Sequence, residues 1–189
     1  MRKFLFCVLI MLVGAGLFAQ EAGQSASSGK TYNIGDTGPA GGIVFYDNGF
    51  YGDGWRYLEA APAGSEFKAE WGSYKQDVTN TMAGIGFGKE NTRLIVDRLN
   101  GLREVNRAAQ RCAALDINGY KDWFLPSKDE LNLVFRNLKM NELGGFGISW
   151  YWSSSEYGKR DAWNQSFASG FKDGNSKDRM GNVRAIRAF

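Results

Sequence analysis

The sequence predicts an α+β domain in which an antiparallel sheet is closed by the two chain ends. Two observations carry this. Segments rich in aromatic and β-branched residues lie towards both ends of the chain, and three helical apolar stripes fill the middle. From Tyr32 to Phe189 aromatics and glycines are dense, with no polar linker and no internal repeat to divide the run. A stretch of about 158 residues forms one domain and is long enough to bury most of its unfolded surface.

Ahead of that domain, Arg2 and Lys3 precede an apolar run from Phe4 to Phe18, followed by small residues from Ala19. This is the pattern of a secretory signal peptide, residues 1–19, cleaved near Ala19 or Gln20. The run is shorter than the ~20 residues a membrane-spanning helix needs, so no transmembrane segment is expected after cleavage. Residues 20–31 are small and polar and predict a flexible leader. The domain itself occupies 32–189.

Gly41-Gly42-Ile43-Val44-Phe45-Tyr46-Asp47 leaves a glycine-rich turn as a strand, and Trp55–Ala60 alternates as its hairpin partner. Glu70-Trp71-Gly72 is a candidate third strand. Thr92, Ile95, Val96 and Leu99 then fall at i, i+3, i+4 and i+7. Val105, Ala108, Ala109 and Cys112 repeat the spacing, as do Leu131, Val134, Phe135 and Leu138. The third helix has a capping box, Ser127-x-x-Glu130, directly after Pro126. Trp150–Ser153, Ala162–Phe167 and Val183–Phe189 are the closing strands, separated by polar stretches at Glu156–Asp161 and Lys172–Asn182.

Composition excludes much chemistry. The chain has no histidine, which removes Ser-His and Cys-His nucleophile pairs and the usual base at neutral pH. Beyond the signal peptide only Cys112 remains, on the apolar side of a helix, so it reads as a buried small hydrophobe. With one cysteine and no histidine, the usual Cys/His ligand sets of a structural or catalytic zinc site are missing. Gly84-Ile85-Gly86-Phe87-Gly88 lacks the Lys-Ser/Thr of a phosphate loop. No cofactor or metal is expected. Residues 20–155 carry net −2, with 14 basic and 16 acidic side chains. Residues 156–189 carry net +3: Lys159, Arg160, Lys172, Lys177, Arg179, Arg184 and Arg187 against Glu156, Asp161, Asp173 and Asp178. That excess is too small for a nucleic-acid surface.

Four blocks bear a family likeness: Tyr32–Phe45, Gly119–Leu131 with its Asp122-Trp123-Phe124-Leu125-Pro126-Ser127 core, Tyr151–Glu156, and the ending Val183-Arg184-Ala185-Ile186-Arg187-Ala188-Phe189. Together they resemble the C-terminal domain family of the Legionella collagen-like adhesin. The resemblance implies a C-type-lectin-like fold of the kind shared with formylglycine-generating enzymes, binding at a surface or in the periplasm, and, in the adhesin itself, recognition of sulfated glycans. The cysteine pair of those enzymes has no counterpart here, so their oxidase activity does not carry over. No Glu-Pro-Asn tripeptide of calcium-dependent sugar binders occurs either.

The last 40 residues also resemble the variable region of retroelement-diversified proteins such as the Treponema variable protein. In such proteins a fixed frame holds varied surface residues at the ligand face. The frame would be Trp152–Glu156, Ala162, Trp163, Phe167, Gly170 and Val183–Phe189. The candidate ligand-binding positions are Tyr157, Lys159, Arg160, Asp161, Asn164, Ser166, Ser169, Phe171, Lys172, Asp173, Asn175, Ser176, Lys177, Asp178, Arg179 and Asn182. Tyr and Arg supply contact area and directed hydrogen bonds there, and Ser, Asn and Gly adapt. Arg184 and Arg187 are set apart as partners of framework carboxylates or carbonyls. Of the tryptophans, Trp123 and Trp152 read as core, while Trp150 and Trp163 suit either core or surface.

The leading expectation is therefore an exported ligand-binding protein for a protein or glycan on another cell or surface. The alternatives are an exported enzyme that acts on cell-wall or polysaccharide substrates through carboxylates, and a structural envelope component.

Overall fold

The computed structural model describes residues 30–189. The expected signal peptide and residues 20–29 of the expected leader lie outside the described residues. Thr31–Phe189 form one unit. Its elements are β1 (Ile43–Gly52), β2 (Trp55–Ala60), β3 (Phe67–Glu70), α1 (Gly88–Gly101), α2 (Ala108–Ala113), α3 (Lys128–Asn137), β4 (Trp150–Glu156), β5 (Asp161–Ser166), β6 (Lys172–Ser176), β7 (Met180–Val183) and β8 (Ile186–Ala188).

The α+β class holds, but the single closed sheet does not. There are two sheets, β1-β2-β8 and β3-β7-β4-β5-β6, and neither closes. The cause lies in the last seven residues. The sequence pattern suggests one strand from Val183 to Phe189, yet the chain changes sheet at Arg184-Ala185. Val183 pairs with Phe67 on β3, whereas Ile186 pairs with Ala60 on β2. At the crossing, Arg184 Nη1 donates to Ala61 O at 3.1 Å, and Ala61 N donates to Ala185 O at 2.9 Å. The first and last stretches of the described domain meet at β2: Tyr32 packs edge-on against Tyr57 and Phe189. β4 and β7 are joined by a parallel bridge, Tyr151 to Asn182, in an otherwise antiparallel sheet.

Two apolar clusters fill the interior. One gathers Trp71, Trp123 and Trp152 with Ile95, Leu99, Ala109 and Cys112 from α1 and α2. The other sets Leu131, Val134 and Leu138 of α3 and its C-cap against Phe45, Leu58, Tyr151 and Phe167. α3 forms as its sequence suggests. Ser127 Oγ accepts from Glu130 N, and Glu130 Oε2 accepts from Ser127 N at 2.7 Å, so both ends of the capping box are made.

α2 is shorter than its stripe suggested. It begins at Ala108, and Val105 lies outside it, exposed. Arg103 and Asn106 adopt positive φ (59° and 61°), which a right-handed helix cannot contain. The third strand is also shifted: β3 stops at Glu70, and Trp71 turns inward, its Nε1 donating to Ser153 O at 2.8 Å.

The signature blocks prove to be one another's partners. Glu59 on β2 is buried; it accepts from Ala40 N (3.3 Å), Gly42 N (3.0 Å) and Arg187 Nη1 (3.0 Å). A Cβ at Gly38 would collide with the Glu59 carboxylate, and one at Gly42 would stand 2.5 Å from Ala60 O. The glycines of the first block are thus the space this carboxylate needs. Arg187 Nε in turn donates to Asp122 Oδ1 at 2.6 Å. The Gly-Pro-Ala-Gly-Gly turn, the Asp-Trp-x-Leu-Pro block and the terminal strand therefore converge on one guanidinium.

Candidate binding face

β6 is an edge strand bonded only to β5, and β5 leads back to β4 through the turn at Tyr157–Arg160. That turn is tight: Tyr157 N and Gly158 N both donate to Asp161 O at 3.0 Å. It is also anchored from below by Lys177, which is 0% exposed. The Lys177 ammonium is ion-paired with Glu156, donates to Gln76 O (3.0 Å) and Lys159 O (3.2 Å), and lies 4.8 Å from the centre of the Trp71 ring. A buried ammonium needs all of its donors satisfied, and this one has three acceptors.

The expectation that Lys177 contacts ligand is corrected accordingly: its charge is spent inside the protein. Three other expected positions are also interior. Asn182 is buried and donates to Glu66 Oε1 at 3.0 Å, beside Tyr151 Oη, which donates to Glu66 Oε2 at 2.9 Å. Asn164 and Ser166 are buried on β5. They lie on the side of β5 that carries Ala162, and Asn164 pairs across the sheet with Trp152; Ala162 and Trp152 both belong to the first apolar cluster.

The remaining positions are accessible. Tyr157, Lys159, Arg160, Ser169, Phe171, Asp173, Asp178 and Arg179 are exposed, and Asp161, Lys172, Asn175 and Ser176 are half-buried. They do not share one face. In the β5–β6 register Lys172, Gly174 and Ser176 pair with Gln165, Trp163 and Asp161. This side is the one facing α3, since Gln165 Nε2 donates to Asn132 Oδ1. Asp173 and Asn175 pair with Asn164 and Ala162 and point the other way, with Trp150 opposite Ser166.

Each side has its own aromatic pair. On the α3 side, Tyr157 stands edge-on to Trp163, with centroids 4.8 Å apart and planes at 85°. A Cβ at Gly174 would come within 2.7 Å of the Tyr157 ring, so a glycine at this strand position is what lets the ring lie across β6. The Lys128 ammonium sits 3.8 Å from the centre of the Trp163 ring, a cation–π contact. The other side has Trp150 edge-on to Phe171 at 6.4 Å, both exposed. Among the described residues, Asn164 Oδ1 and Gln165 Oε1, one on each side of β5, are buried acceptors without a hydrogen-bond partner.

Lys128 was missed at the sequence level. It lies 28 residues before the first polar stretch begins at Glu156, and only the packing of the α3 N-terminus beside β5 brings it to Trp163. Arg184 and Arg187 behave as expected of framework residues: Arg184 Nη2 meets Glu66 Oε2 at 2.7 Å, and Arg187 meets Glu59 and Asp122.

The described residues thus form a two-sheet α+β frame that carries a tightly hydrogen-bonded edge hairpin bearing exposed aromatics and cations. Residues 67–187 match the family model described as the Lcl C-terminal domain, and the chain belongs to that family. No curated protein matches this chain. Among solved structures, a fimbrial protein from Bacteroides ovatus ATCC 8483 is similar in fold, with a TM-score of 0.51 at 12% identity. The match covers 71% of this chain and 36% of that one, so the chain spans little more than a third of its neighbour's length. Among the described residues no helix is long and apolar enough to cross a membrane.

Proposed function

We propose that this is an exported, non-catalytic, adhesin-like protein that binds a protein or glycan on another surface through its C-terminal edge hairpin. The observation that carries the reading is the Tyr157–Trp163–Lys128 platform, an exposed tyrosine ring set against a half-buried tryptophan with a cation on it, beside the buried Lys177 anchor. Holding such groups rigid lowers the ordering cost of binding. Membership of the Lcl C-terminal domain family and a fimbrial neighbour both fit a surface role.

Three finer readings belong to the same proposal: a C-type-lectin-like frame, cleavage of the leader near Ala19 or Gln20, and diversification of the exposed hairpin positions. The carboxylates that burial pushes up support a non-catalytic protein. Glu130 is enclosed by the backbone N–H groups of Ser127, Gly86 and Gly88, and Glu59 by those of Ala40 and Gly42 together with Arg187, so their oxygens are occupied by the protein itself.

The contact surface we favour is the α3 side, where Lys128 and Lys172 flank the aromatic pair and Lys159 and Arg160 extend from the turn. A glycan and protein array supplies a ligand, and two block variants then locate the site. Tyr157→Ala/Lys159→Ala/Arg160→Ala/Lys172→Ala abolishes binding, whereas Trp150→Ala/Phe171→Ala leaves it intact. The reverse result moves the site to the opposite side of the sheet, and retention in both variants removes it from the hairpin. A sulfated-glycan ligand gives an affinity that falls steeply with salt; a protein ligand anchored on Tyr157 gives a shallow dependence.

A further inference from the structure

A second concave region lies away from the hairpin, and it absorbs the one glycine motif left without a role. A cleft of about 1020 Å³ is walled by the β1–β2 hairpin end, the Gly84–Gly88 loop and the last residues of the chain. The loop is clamped from behind. Gly86 N donates to Glu130 Oε1 at 2.8 Å, Ser127 Oγ donates to Gly84 O at 2.7 Å, and Asp129 N donates to Ala83 O at 2.9 Å. Gly86 needs its positive φ of 90°, and a Cβ at Gly88 would collide with Glu130 Oε2. With the backbone fixed in this way, Ile85 and Phe87 are turned outward, 38% and 43% exposed. They line the cleft with Tyr51, Trp55 and Phe189. Apolar side chains gathered around a concavity and held in solvent by a rigid loop mark a ligand surface.

The charges of the cleft narrow the ligand. Arg187 is already committed to Asp122 and Glu59, and Arg93 to Glu90 and Asp97. Among the described residues Lys89, Asp53 and Glu130 line the cleft without an ion pair; Lys89 and Asp53 cancel in sign, and the Glu130 carboxyl is buried against backbone N–H groups. A polyanion finds no surplus of positive charge here. A wholly apolar ligand would strand the polar walls without partners. A chain of uncharged sugars has an apolar ring face for the aromatics and a hydroxyl edge for the paired charges. The volume lies at the upper end of the ~300–1,000 Å³ of small-molecule sites, which suits an oligosaccharide better than a single sugar.

We infer that this cleft is a binding site for an uncharged oligosaccharide, separate from the hairpin face and independent of what that face binds. The test uses the full exported chain, titrated with maltotetraose, cellotetraose and chitotetraose and followed by calorimetry at low and high salt. At least one tetrasaccharide binds with a Kd of about 1 mM or tighter, and its affinity does not respond to salt. Tyr51→Ala/Phe87→Ala removes two exposed rings and weakens binding about tenfold or more; a circular dichroism melt checks that it is folded. Tyr157→Ala/Lys172→Ala leaves sugar binding unchanged, which separates this site from the hairpin. The inference is overturned if none of the three binds, if binding survives the Tyr51/Phe87 change, or if a hydrophobic peptide occupies the cleft and the sugars do not displace it.

Discussion

The hairpin from Tyr157 to Ser176 and the closing segment from Lys177 to Phe189 draw on the same residue types and meet solvent in opposite ways. In the hairpin, Lys159 and Arg160 are exposed and Lys172 is half-buried, and the one ion pair there among the described residues joins the exposed Lys159 to the half-buried Asp77 at 3.6 Å. In the closing segment Arg179, at the turn between β6 and β7, is exposed, whereas Lys177, Arg184 and Arg187 are buried, each on a carboxylate: Glu156, Glu66, and Glu59 with Asp122. What separates frame from face is therefore the carboxylate each cation meets, not local composition. Exposed pairs contribute ~0–1 kcal/mol. A buried pair that loses one partner costs ~3–5 kcal/mol, because the other charge is stranded.

The largest expected effect is at Arg187. Arg187→Ala strands Glu59, whose carboxyl burial already pushes above its ordinary range, and frees Asp122. A loss of about 4 kcal/mol is expected, enough to lower Tm by ~10 °C in a domain of this size. Because the two residues share one network, Glu59→Gln/Arg187→Met costs less than the sum of the single changes; thermal melts of all three variants check this. Next comes Lys177→Ala, expected to cost about 3 kcal/mol by stranding Glu156 beneath the turn, and to weaken ligand binding without removing an exposed side chain. A stability change below ~1 kcal/mol would break the comparison at its most informative residue.

Glu130 sharpens it from another direction. This carboxylate is enclosed by N–H groups with no cation, and burial holds its pKa above the usual carboxylate range. The folded state therefore keeps a proton that the unfolded chain releases, so this group's contribution to stability falls as pH rises from the ordinary carboxylate value through the raised one. Glu130→Gln has no charge to bury and escapes that loss. Its Tm relative to wild type should rise between pH 4 and pH 7; a flat difference contradicts this reading. The smallest effect is at Cys112. It is buried and burial raises its thiol pKa, so Cys112→Ala should cost about 1 kcal/mol and thiol reagents should label the native protein slowly.

What the sequence made legible was local or periodic. The Ser127–Glu130 capping box, the inward faces of α1 and α3, the burial of Cys112, Trp123 and Trp152, and the framework role of Arg184 and Arg187 all correspond to the structure. What escaped it was set by long-range partners. Lys177 looks like its exposed neighbours because Glu156 and Gln76 O come from elsewhere in the chain. The final strand splits because Arg184 is drawn to Ala61 O and Glu66, over a hundred positions upstream. The start of α2 was misplaced because the positive φ of Asn106 overrides a continuous apolar spacing. The Gly84–Gly88 loop excluded a phosphate site but not the role of cradling Glu130, since a wrapped carboxylate leaves no spacing rule behind.

The division between frame and face is tested most directly by thermal unfolding of two variants side by side. Lys159→Ala/Arg160→Ala/Lys172→Ala removes the cations of the hairpin, and Lys177→Ala/Arg187→Ala removes two from the closing segment. The account predicts a Tm within ~2 °C of wild type for the first, as for other solvent-facing changes. For the second it predicts a fall of more than ~10 °C, or failure to fold. Equal losses in the two would contradict it.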